Sequence, residues 1–104
     1  MKDLLSLENI SKNEISALIT VAQDMKKNPK KYENSLKAKT LLMLFEKPSL
    51  RTRISFEVAI NKLGGRAIVM ETKNAPFKEK ESIADSAKVS SRYCDAIMAR
   101  LFSH

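Results

Sequence analysis

The sequence predicts an α/β fold: a parallel sheet in strand order 2-1-3 with helices on both faces, an incomplete doubly wound domain. Two observations carry this prediction. Three short apolar runs, at 40–45, 67–71 and 96–102, have the uninterrupted hydrophobicity of strands buried on both faces. Segments of helical periodicity, opened by capping residues, lie between them. Strands alternating with helices imply right-handed crossovers and a parallel sheet, here with the first strand in the middle.

Taken in order, Ser11 and Glu14 form an S-x-x-E capping box, after which Ile15, Leu18, Ile19, Ala22 and Met25 repeat at helical spacing. This helix is expected to stop before Pro29. The lysine-rich stretch 28–39 then reads as a surface connection. The run "TLLMLF" follows as strand 1, and after the turn "EKPS" Ser49 stands as the N-cap of a second helix. Phe56, Ala59, Ile60 and Leu63 are the expected buried face of that helix, and Gly64 and Gly65 end it. Strand 2 is "AIVME"; a polar loop, "TKNAPFKEK", leads to a capping box at Ser82 and Asp85. Ile83, Ala84, Ala87 and Val89 point inward from that third helix, before strand 3.

With 104 residues, 43% of them hydrophobic and 30% charged, the chain suits one small folded domain spanning 1–104. No apolar stretch approaches the roughly 20 residues of a spanning helix, and the N-terminus lacks the apolar core of a signal peptide. No membrane partner is therefore expected, and the expected setting is cytoplasmic. Cys94, the single cysteine, reads as a small core residue, and no zinc pattern accompanies it. A net charge of +7 favours anionic partners. The C-terminal "AIMARLFSH" stops at the mouth of strand 3, so the chain reads as the beginning of something longer.

In such sheets ligands bind beyond the carboxyl ends of the strands, which places the turn holding Ser49 and the strand 3 end holding Arg100 at one crevice. A helix N-terminus exposes unpaired amides and a positive dipole end. The dipole contributes only about 0.3–1 kcal/mol at exposed positions, so charged donors must supply most of an anion's affinity. Ser49 and Thr52 offer hydroxyls, Arg51 a planar fork matched to phosphate oxygens, and Leu50 to Thr52 their amides.

The segment "FEKPSLRTRISFE" resembles the F-x-K-x-S-T-R-T-R-x-S-F-E signature of the aspartate and ornithine carbamoyltransferases. The likeness extends through "LLSLENISKNEI", "LGGRAIVM" and "ESIADSAKVSSRYCDAIMAR", and so covers essentially the whole chain. "SRYCDAIMAR" is more similar to the ornithine than to the aspartate branch. The resemblance implies a carbamoyl-phosphate-binding domain in which Ser49, the Leu50 backbone, Arg51 and Thr52 hold the phosphate. Arg100 would reach both phosphate and carbonyl oxygen. It further implies carbamoyl transfer to the side-chain amine of ornithine without metal or organic cofactor, in a homotrimer whose amino-acid-binding domain lies beyond this chain. Arg53 and Glu57, four apart on the helix, are assigned a structural pairing, and Lys47 lies at the surface.

Leu50 replaces the signature's threonine and removes one hydroxyl. In the loop from 72 to 81, Pro76 falls at the family's glutamine position, and Ala75 and Glu79 where the aspartate branch has serine and lysine. None of these can reproduce the contacts that loop makes in a neighbouring subunit. His104 is taken as a terminal, solvated histidine without a catalytic role. Two other readings stand beside the carbamoyltransferase one. A small basic module binding nucleic acid is disfavoured, because the chain has six aromatic residues and no RNA-binding signature. A non-catalytic partner of a full-length carbamoyltransferase, pairing through the 72 to 81 loop, is left open.

Overall fold

Ser11 opens the first helix as its local chemistry requires. In the computed structural model its Oγ accepts from the Glu14 amide at 3.1 Å and donates to Glu14 Oε1 at 3.2 Å. Helix α1 then runs over Lys12–Lys27. The structure describes residues 4, 6–46, 49–71, 85 and 87–100. They divide into two compact units, Met1–Tyr32 and Glu33–His104.

In the first unit, α1 closes on Asn28, whose amide donates to the Asp24 carbonyl at 2.8 Å and whose side chain donates to Asp24 Oδ1 at 2.9 Å. A short 3₁₀ turn at Pro29–Tyr32 folds back on the same carboxylate. Asp24 Oδ2 accepts from Lys31 Nζ at 2.9 Å and from the Tyr32 hydroxyl. These donors, Tyr32 first, hold the Asp24 carboxyl well below the usual carboxylate range. In return the Asp24 carboxylate raises Lys31 and Tyr32 above their ordinary values.

The second unit is built on strand β1, Thr40–Phe45, which is buried from Leu41 onward. Strands β2, Arg66–Glu71, and β3, Ala96–Arg100, pair with it in parallel on either side, giving the order β2-β1-β3. Side chains alternate across the sheet, so β1 feeds two cores. Leu41, Met43 and Phe45 pack with Ala67, Val69, Met98 and Ile60 of helix α2, Leu50–Lys62. Leu42 and Leu44 pack on the opposite face with Met70, Cys94 and Ala87 of the helical stretch 87–90. Helices thus cover both faces, as expected, and Cys94 is a half-buried packing residue.

β2 begins one residue earlier than the apolar pattern predicts, because the Arg66 amide donates to the Lys39 carbonyl at 3.0 Å. At the opening of the sheet Asp95 ties β1 to the start of β3, accepting the Thr40 amide at 2.8 Å while its own amide donates to the Thr40 carbonyl at 2.9 Å. Ser82, Ile83, Ala84 and the last residues of the expected strand 3, 101 and 102, lie outside the described residues.

The buried face of α2 differs from the expected one. Phe56 and Ala59 are exposed, while the half-buried positions are Thr52, Arg53, Glu57, Ile60 and Leu63. Charged Arg53 and Glu57 are among the half-buried positions, and Arg53 meets Glu71 at the end of β2. Leu63 caps the helix, and Gly64 takes φ +90°, where a Cβ would stand 2.7 Å from the Glu33 carbonyl oxygen. Among the described residues no helix is long and apolar enough to cross a membrane.

Candidate functional site

The site forms where β1 turns into α2. Ser49, with extended φ −154° and ψ 97°, is the N-cap; its Oγ accepts the Thr52 amide at 3.4 Å and donates to Thr52 Oγ1 at 2.8 Å. Its carbonyl accepts the Arg53 amide at 3.0 Å and so starts the helix. Arg100, the last described residue of β3, donates from Nη1 to Ser49 Oγ at 3.2 Å and to Thr52 Oγ1 at 3.0 Å. Its carbonyl also accepts the Glu46 amide at 2.8 Å, fastening the turn to β3. Residues about fifty positions apart therefore meet at one strand-end crevice, as the topology predicts.

The remaining residues of the set take different positions. Arg51 is exposed on the first turn of α2, and no described residue pairs with it. Leu50 is 72% exposed. With Phe45, Ser49, Arg53 and Glu71 it lines a shallow cavity of about 190 Å³. Arg53 makes the expected pair with Glu57 at 3.7 Å, and a closer one with Glu71 at 3.1 Å that the linear pattern did not disclose. The signal for Glu71 lay in strand register, since both Glu71 and Arg100 pair with Phe45. Lys47, His104, and Ala75, Pro76 and Glu79 of the 72 to 81 loop lie outside the described residues. No cluster of metal-ligating side chains occurs among the described residues.

Chemically, the crevice brings together two hydroxyls, the N-terminus of α2 and the Arg100 guanidinium, donors of the kind that suit a tetrahedral oxyanion. The molecule is thus a parallel α/β domain with a cluster of hydrogen-bond donors at its strand ends. Residues 2–104 match the carbamoyl-phosphate-binding domain of the aspartate/ornithine carbamoyltransferases, and the chain belongs to that family. It is 44% identical to an ornithine carbamoyltransferase of Shewanella oneidensis, over all of this chain and 35% of that protein. Ornithine carbamoyltransferase from Pyrococcus furiosus superposes with a TM-score of 0.88 at 44% identity, over 98% of this chain and 33% of that one. The catalytic subunit of M. jannaschii aspartate transcarbamoylase gives 0.87 at 38% identity, over 100% and 35%. The chain spans about a third of the length of the curated relatives it matches.

Proposed function

We propose that this chain supplies the carbamoyl-phosphate site of an ornithine carbamoyltransferase. Ser49, the Leu50 amide, Arg51 and Thr52 hold the phosphate, and Arg100 spans phosphate and carbonyl oxygen. The uncharged side-chain amine of ornithine attacks the carbamoyl carbon, forming a C–N bond and a tetrahedral oxyanion. Thr52 and Arg100 act on that oxyanion, where fixed donors strengthen as charge develops. Collapse breaks the bond from the carbamoyl carbon to the phosphate oxygen, and the proton lost by the attacking amine passes to the departing phosphate, giving citrulline and hydrogen phosphate. Arg51 stabilises the departing phosphate.

The single observation that supports this reading is the double donation of Arg100 to Ser49 and Thr52. It places a guanidinium from β3 on the hydroxyls at the N-terminus of α2. Ornithine is favoured over aspartate by the relatives' names and identities. Ornithine binding and turnover need the second, amino-acid-binding domain, so the 104 residues alone bind carbamoyl phosphate without transferring it. The complete enzyme works as a cytoplasmic homotrimer in arginine biosynthesis.

Titration of the folded chain with carbamoyl phosphate or inorganic phosphate tests the first claim. Amide signals of Leu50 to Thr52 are expected to move, and their failure to respond overturns it. A radiolabelled transfer assay on the purified chain is expected to yield no citrulline. Appreciable citrulline overturns the claim that a second domain is required.

A further inference from the structure

We propose that Glu71 is a positioning residue for the anion cradle: through Arg53 it holds the first turn of α2 over the strand ends, keeping Ser49 and Thr52 level with Arg100. The inference rests on the reading of that cradle as a phosphate site.

Phe45, the last residue of β1, pairs with Glu71 on one side and Arg100 on the other. Residues level across neighbouring strands share a face, here the one on which Phe45 packs toward α2. The two edge strands therefore each end by sending a charged side chain to the same helical turn. Arg100 reaches Ser49 and Thr52, while Glu71 reaches Arg53, the next residue along, at 3.1 Å. Glu57 Oε2 lies 3.7 Å from Arg53 Nε, so one guanidinium spans a carboxylate of its own helix and one of β2. Losing either attachment frees that turn to tilt.

A carboxylate lining the same cavity as Ser49 is unfavourable to an anion on Coulombic grounds alone. Its presence is accounted for by the arginine it engages. Glu71 and Arg53 are 35% and 43% exposed, and half-exposed ion pairs contribute little to stability. Removing the pair should therefore alter the alignment of the cradle more than the fold.

The sign of the effect on anion binding decides the matter. Inorganic phosphate is titrated into the whole chain and into its Glu71→Gln, Glu71→Asp and Arg53→Lys variants, following the amides of Leu50 to Thr52 alongside thermal unfolding. Glu71→Gln is expected to weaken phosphate binding about threefold to fivefold, the upper range for a half-exposed pair, with a near-native unfolding midpoint. Glu71→Asp, which keeps the charge, should recover part of that loss. Arg53→Lys, which keeps charge but lacks a fork able to span two carboxylates, should fall between. Unchanged or tighter binding by Glu71→Gln overturns the proposal, since Glu71 would then act only as a repelling charge. If Glu71→Gln does not fold, equal affinities for Glu71→Asp, Arg53→Lys and the native chain overturn it instead. No response in the native chain overturns the phosphate-site reading itself, a result distinct from either.

Discussion

Arg100 is the residue on which the cradle depends most. Both hydroxyls at the N-terminus of α2 accept from its Nη1, so the guanidinium orients them as well as supplying charge. Truncation in Arg100→Ala removes the guanidinium, and one charge-assisted hydrogen bond to a bound anion is worth about 1.5–3 kcal/mol. Phosphate affinity is expected to fall by about tenfold or more, since each 1.4 kcal/mol is about tenfold. Arg100→Lys should recover only part of it, because lysine lacks the planar fork; calorimetric titration of the three proteins checks the order. Asp24, in the first unit, makes a different prediction. Its depressed folded value means that its network contributes stability above the unfolded carboxyl value of about 4, lost as pH falls through the folded value. Lys31 and Tyr32 are raised, so their contribution is present below their ordinary values and disappears as pH rises beyond them. The junction should thus hold through neutral pH and loosen at both extremes, modestly because all three groups are solvent-screened. The NMR signals of the Tyr32 ring, followed with pH, report it.

Among the elements, α2 shows where reading from sequence succeeds and where it stops. Its start at Ser49 and its end at Gly64 follow from local chemistry, a capping hydroxyl and a left-handed residue, and both were legible. Gly64→Ala would force a side chain into φ +90° and against the Glu33 carbonyl. A loss of at least about 1 kcal/mol is expected, read as a lower midpoint in denaturant. The partner of Arg53 on another strand was not legible, because Glu71 is brought to it by the sheet and no periodicity within the helix carries that information. The four-residue spacing of Arg53 and Glu57 is visible along the chain, and the cross-element partner Glu71 is not.

At the scale of the whole molecule, one strand bears the fold of the second unit. Leu41 to Phe45 are all buried, alternating between two cores, and Met43 is fully so. Met43→Ala is expected to cost about 2–5 kcal/mol, a large share of the roughly 5–15 kcal/mol that holds a domain folded. Thermal unfolding should show a sharply lower midpoint, or no cooperative transition. Serine, threonine and two arginines near a strand-to-helix turn, an apolar middle strand and the alternation that makes the sheet parallel were determined by the sequence alone, because each depends on neighbours a few residues away. Register was decided only by tertiary structure. Pairing Phe45 with Glu71 and with Arg100 joins segments 26 and 55 positions apart, and packing on both faces of β1 selects among possible alignments. A shift by one residue would turn both charges to the opposite face, leaving the same motif without Arg100 above it or Glu71 beside it.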